Sequence, residues 1–410
     1  MLVHLHIGTP KSGTTYLQGL MDRNRERLAA DGVLWYGDTW NDQVFAVRDV
    51  LEIDPHDEPA SEVVGAWSRF VEQVHAWSGE SVVLSMEWMV HATPEQVRAV
   101  VDSLAPHRVR VVVTARDIAR TVPAQWQEQV QNWATWTWEE YVAAVTSPDP
   151  RSTGPGRQLF DQYDLTSILP NWLAVLPVED VTVVTVPGSG APADLLWQRF
   201  AQAIGVDPGP YDTDVPVSNG SLGAASAELM RRVNVASREA GVTWQDGDPI
   251  LKWALAKGVL SYRAGQEPKL RLPAEHHDWA VAEAERLVDG VQQLGVPVIG
   301  DVDELRVTGS GRAGTGEVSA EQIVEAAVQG LAGLARHIAD RNAAERRAAE
   351  LRRQEEAARL AAEAAEQERR ARRRPTVANG VRVTRAVARR ARVTAGQARR
   401  VTRARLAADR

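Results

Sequence analysis

The sequence predicts a three-layer α/β sandwich with a central parallel sheet, followed by a long C-terminal helical extension. Three observations predict it. The chain opens with an apolar strand, a glycine-bearing turn and an amphipathic helix between Leu2 and Leu20. Short β-branched runs recur at 81–85, 109–114 and 181–186, separated by stretches with helical apolar spacing, the pattern of strands joined by crossover helices. At 410 residues and 44% hydrophobic side chains, the chain can bury one large core and carry further material.

The first unit organises the rest. Leu2 to Ile7 stops at Gly8, and the turn Gly8-Thr9-Pro10-Lys11-Ser12-Gly13 leads into Thr14-Thr15. Leu17, Leu20, Met21 and Leu28 then share a helical stripe. Glycines at both ends let the turn curl until its N–H groups and the helix N-terminus face one spot, a place for a phosphate-like anion. The turn is not the nucleotide-triphosphate loop GxxxxGK[ST]. Its glycines have that spacing, but Thr14 stands at the lysine position and the lysine is Lys11. Only four residues of the chain are lysine (Lys11, Lys252, Lys257, Lys269), against 43 arginines, so an ammonium inside this turn is a marked choice over a planar guanidinium.

His4 and His6 share one face of the first strand and read as hydrogen-bonded strand histidines rather than metal ligands. Gly32 closes the first helical stretch and Val33–Tyr36 is a short strand. Residues 38–56 read as a loop with one helix, and Val63, Trp67, Phe70 and Val74 mark another. Ser81–Ser85 is a buried strand, with Glu87 just past its carboxyl end, the edge at which open α/β sheets bind ligands. A carboxylate there is a candidate general base, with His91 a second; the plainer role for Glu87 is a cap or ion pair.

A helix from Pro94 to Leu104 precedes the strand 109–114, which ends at Arg116-Asp117. In the next helix Pro123 marks either a kink or the true start, and a helical first turn sets Arg116 and Arg120 on one side. Trp126 reads as core, while Trp133, Trp136, Trp138 and Tyr141 suit either core or a stacking platform. Residues 147–157 read as a Pro/Gly-rich loop, a candidate lid. A helix with a kink at Pro170 spans 165–176, a strand spans 181–186, and a helix from Pro192 closes at Gly205. Ser218–Gly223 is a turn ahead of a helix starting at Ala224, 276–294 is a helix, and Val296–Ile299 is the last strand.

The expected organisation is an α/β domain over 1–307, a glycine-rich linker at 308–317, a charged helical or weakly coiled-coil segment over 318–373, and a basic tail over 374–410. Charge is divided unevenly. Residues 369–410 hold fifteen arginines against Asp409 and 317–368 are mildly acidic, so the remainder carries −17 of the overall −7. The tail suits an anionic membrane surface, nucleic acid, an acidic partner, or simple solubilisation. With no cysteine there is no thiol nucleophile, disulfide or cysteine metal site. No signal-like segment or apolar run of ~20 residues is visible, so the expected location is cytoplasmic, with peripheral membrane association through the tail as an alternative.

The stretch Thr9-Pro10-Lys11-Ser12-Gly13-Thr14-Thr15-Tyr16 resembles the 5′-phosphosulfate loop of sulfotransferases that use 3′-phosphoadenylyl sulfate, enzymes with a P-loop-like fold that carry the lysine inside the loop. The resemblance covers roughly residues 1–305. It implies transfer of a sulfuryl group from that co-substrate, without a metal, to a hydroxyl or amine of a small molecule, glycan or lipid. It makes Lys11 and Glu87 catalytic, and Thr9, Ser12, Gly13, Thr14 and Thr15 holders of the 5′-phosphate. Arg116 matches the arginine of the family's 3′-phosphate site. The serine expected eight residues later is Ala124, which implies a weaker grip on the cofactor, compensation by Arg120 or Thr121, or a branch of the family that uses other donors. Asn219 and Ser221 become candidates for covering the nucleotide. Two other readings stand beside this one: a P-loop kinase with a shifted lysine, which needs a metal-holding aspartate at a strand end, and an idle sulfotransferase fold serving as an adaptor or membrane-surface protein.

Overall fold

The computed structural model describes residues 1–53, 61–215, 222–307, 318–373 and 384–392. Two compact units divide the chain, Met1–His337 and Ile338–Arg410.

In the first unit six strands form one sheet: β1 (Leu2–His6), β2 (Val33–Trp35), β3 (Ser81–Ser85), β4 (Arg108–Ala115), β5 (Val181–Thr185) and β6 (Val298–Ile299). Every pairing is parallel and the order is β2-β3-β1-β4-β5-β6. The chain leaves β1 for β2, returns to β3 beside β1, then crosses to β4 on the other side. The crevice at the carboxyl end of β1 therefore lies where the winding reverses. Helices cover both faces, so the strands are nearly all apolar. Val3, Leu5 and Ile7 pack into one core, and Leu17, Leu20, Val112 and Phe200 build a second on the opposite face, toward which His4 and His6 point.

The helix after β4 runs Ile118–Gln131 straight through Pro123, with Asp117 as its cap. Trp126, Trp133, Trp138 and Tyr141 are buried, and Trp136 is exposed. The stretch 147–157 is not a loop. A helix starts at Gly154, because the Thr153 hydroxyl accepts from Gly156 N–H and Pro155 suits a first turn. The helix expected to end at 176 stops at Leu173.

A helix spans Ala320–Arg373. The division between units falls inside it, and the linker expected at 308–317 lies outside the described residues. Ile323 and Ala326 belong to the core of the first unit, which ties the start of the helix to it. In the second unit the helix is solvated: Leu351 and Leu360 are exposed and Arg341–Glu345 and Arg359–Glu363 pair at 3.7 Å. A short helix covers 384–392, and the rest of the basic tail lies outside the described residues. Among the described residues no helix is long and apolar enough to cross a membrane.

Candidate active site

The turn after β1 is built to expose its backbone. Gly8 has φ +95° and Gly13 φ +87°, values that side chains strain to adopt. A Cβ on Gly13 would stand 2.4 Å from Leu196 Cδ2, and one on Gly8 would press on Glu87 at 3.1 Å. The turn is pinned to β4: Thr9 N–H donates to the Thr114 carbonyl at 2.6 Å, and Thr114 N–H to the Gly8 carbonyl at 2.5 Å. Beneath it runs a buried polar chain. Ser12 Oγ donates to the Thr9 carbonyl and meets Thr114 Oγ1 at 2.5 Å. His6 Nε2 lies 3.1 Å from that Thr114 hydroxyl and Nδ1 2.7 Å from Ser85 Oγ, to which Gln18 donates at 3.1 Å. Three strand ends are thus bonded under one turn.

His6 is bonded as its strand position suggests. His4 is not: among the described residues neither of its buried ring nitrogens has a partner. Burial lowers His6 to about 3, and burial, with help from Arg110, lowers His4 to about 4. Both stay neutral in the folded chain while the unfolded chain protonates near 6.5. The unfolded state then binds more protons, so stability falls as pH drops below 6.5 and the loss is complete near the folded values. Chemical denaturation between pH 6.5 and 4.5 should show a slope of about 1.4 kcal/mol per pH unit for each histidine fully protonated only on unfolding. His4→Leu should reduce that slope.

Lys11 has φ +63°. Its Nζ donates to Glu128 Oε2 at 2.5 Å, an ion pair with the helix Ile118–Gln131 that sequence reasoning missed. Burial pushes the Glu128 carboxyl up, but the ammonium charges of Lys11, Lys257 and Lys252 outweigh it and bring it to about 2. On the other side of the turn Thr14 Oγ1 donates to Glu87 Oε1. Glu87 therefore lies against the turn, at the start of a 3₁₀ turn ending in the exposed His91. Thr14 opens a helix whose cap, Gly13, offers no side-chain acceptor. Thr15 follows it in that first turn.

Arg116, at the end of β4, donates from Nη1 to the Lys11 carbonyl at 3.2 Å, while its buried Nε has no partner among the described residues. Burial and the charge of Arg120 bring it down to about 10, against the pull of Asp117. It also lines a cleft of about 1110 Å³ together with Ala124, Lys269 and Arg271. Among the described residues neither Lys269 nor Arg271 makes an ion pair. Arg120 lines the cleft but is engaged by protein: it pairs with Asp117 and donates to the carbonyls of Pro187 (3.0 Å) and Val186 (3.4 Å). Thr121 Oγ1 donates to the Asp117 carbonyl inside its own helix at 2.8 Å, so it is not a free donor at Ala124. Asn219 and Ser221 lie outside the described residues.

No protein-family model matches the chain, and no curated protein matches it. Solved structures overlap parts of it, among them two sulfotransferases. A sulfotransferase from Alicyclobacillus acidocaldarius is 15% identical, with 58% of this chain and 94% of that one covered and a TM-score of 0.33. A sulfotransferase domain from the curacin biosynthetic pathway is 12% identical, with 52% and 78% covered and a TM-score of 0.26. Likeness at this level carries no argument. The chemistry of this chain rests on its own residues.

Proposed function

We propose that the chain is a sulfotransferase that moves a sulfuryl group from 3′-phosphoadenylyl sulfate to a hydroxyl or amine of a small molecule, glycan or lipid. The observation that carries the reading is the hydrogen bond from Arg116 to the Lys11 carbonyl. It joins an anion-binding turn to a basic cleft, two sites for the two phosphates of one nucleotide. The residues fit that donor. The turn offers backbone N–H groups and the uncapped helix start, Arg116 offers an orphaned buried N–H, and Lys269 and Arg271 add charge near Ala124, where a serine is missing.

The donor, when bound, supplies an activated sulfur–oxygen bond. The chain supplies position and charge. Gly13, Thr14 and Thr15 hold the 5′-phosphate, with Thr9 and Ser12 bracing the turn. Lys11 meets the charge that grows on the phosphate oxygen as the sulfur–oxygen bond breaks. Glu87 takes the proton that the acceptor oxygen or nitrogen loses as its bond to sulfur forms. Asp117, the carboxylate nearest a strand end for a kinase metal, is already taken up by capping Arg120 N–H at 2.9 Å and pairing with its side chain. That favours sulfuryl over phosphoryl transfer.

Calorimetry tests the reading. Adenosine 3′,5′-bisphosphate should bind without magnesium, and Arg116→Ala or Arg271→Ala should each weaken it by about 10- to 100-fold. Binding of magnesium ATP in its place, with no response to the bisphosphate, sinks the proposal.

A further inference from the structure

Three of the four lysines gather around Glu128, and the donor requires only one of them. Lys252 and Lys257 lie on Pro249–Lys257, a π-helix. In such a helix each N–H bonds the carbonyl five residues back, as Gly258 does to Trp253 at 3.0 Å. Residues five apart then lie closer to one side of the helix. In an α-helix they would diverge by about 140°. The unusual winding thus brings both ammonium groups to the side facing Glu128. Lys252 Nζ donates to Asn132 Oδ1 at 2.7 Å, Asn132 Nδ2 donates to Glu128 Oε1 at 3.2 Å, and Glu128 holds Lys11. Lys257 is half-buried, and among the described residues its ammonium has no hydrogen-bond or ion-pair partner. Burial lowers its affinity for a proton, with Glu128 opposing and Lys11 and Lys252 reinforcing.

Three ammonium charges face one carboxylate, in a partly desolvated place where unpaired charge is costly. Beside them Trp253 is 53% exposed, with Lys252 Nζ 5.5 Å from its ring. The geometry points to a second anion subsite, separate from the nucleotide cleft. We infer that Lys252 and Lys257 bind an acidic group of the acceptor, a phosphate or carboxylate, with the apolar body of the acceptor against Trp253. The acceptor is then itself an anion. The assignment to the acceptor rests on the sulfuryl-transfer reading; the anion subsite does not.

The test titrates phenyl phosphate into the full-length protein saturated with adenosine 3′,5′-bisphosphate, with inorganic phosphate as a second probe. Phenyl phosphate should bind alongside the nucleotide, and more tightly than inorganic phosphate if Trp253 contributes. The double change Lys252→Met with Lys257→Met should weaken it by about tenfold or more while bisphosphate affinity holds. Lys252→Glu alone, at a half-exposed side chain, should act in the same direction should the double variant fail to fold. Absence of phenyl phosphate binding, competition with the bisphosphate, or indifference to these changes overturns the inference. If the protein ignores the bisphosphate yet binds phenyl phosphate through the two lysines, the subsite stands and the sulfuryl-transfer reading falls.

Discussion

Lys11→Met is expected to lower donor turnover by about 10²- to 10³-fold, the range for removing one preorganised group that stabilises charge in a transition state. The ammonium is positioned twice over. The turn forces Lys11 to φ +63°, and Glu128 holds Nζ at 2.5 Å. Methionine keeps the length of the stem and removes the ammonium, with its charge and its hydrogen bond to Glu128. Release of adenosine 3′,5′-bisphosphate from the donor, followed chromatographically with a mixed pool of phenols, alcohols and amines, reads the rate. Calorimetry with the bisphosphate reads binding. The expected pattern is a large fall in rate with a smaller fall in affinity, because the charge develops only as the bond breaks. Weaker binding with turnover at saturating donor unchanged would assign Lys11 to ground-state binding alone.

Glu87→Gln is expected to reduce turnover by about 10²- to 10⁴-fold, the usual contribution of a positioned general base. Glutamine keeps an oxygen that can accept from Thr14, so the turn and the nucleotide affinity should persist. The loss should be largest with alcohols, whose proton must leave as the new bond forms, and smallest with phenols that ionise near the assay pH. A uniform loss across acceptors, accompanied by weaker bisphosphate binding, would make Glu87 a brace for the turn instead of a base.

Much of this site was legible in the chain itself, for a local reason. The turn 8–13 depends on two glycines with positive φ, and its neighbours in sequence form the helix that it caps. Arg116 and Glu87 were legible because parallel strands bring their carboxyl ends to one edge, so a residue just past a strand is placed by topology alone. The scarcity of lysine drew attention to Lys11, and the same signal, carried further, points to Lys252, Lys257 and Lys269. What it lacked was distance. Nothing local says that a glutamate 117 positions away meets Lys11, or that nine residues wind as a π-helix and turn two ammonium groups to one side.

The helix hidden in 147–157 shows the opposite failure. Its prolines and glycines speak for a loop, but a threonine cap and Pro155 in the first turn are enough to start a helix that buries Leu159 and Phe160. His4 fails differently again: a strand face tells which way a ring points, not whether a partner waits there. By itself the sequence determined the sheet, the glycine turn and the strand-end residues, because periodicity and glycine geometry act over a few residues. Only the tertiary structure decided the partners of Lys11 and His6 and the carbonyls that Arg120 meets, because those contacts join segments remote in the chain that only the packed helices bring into reach.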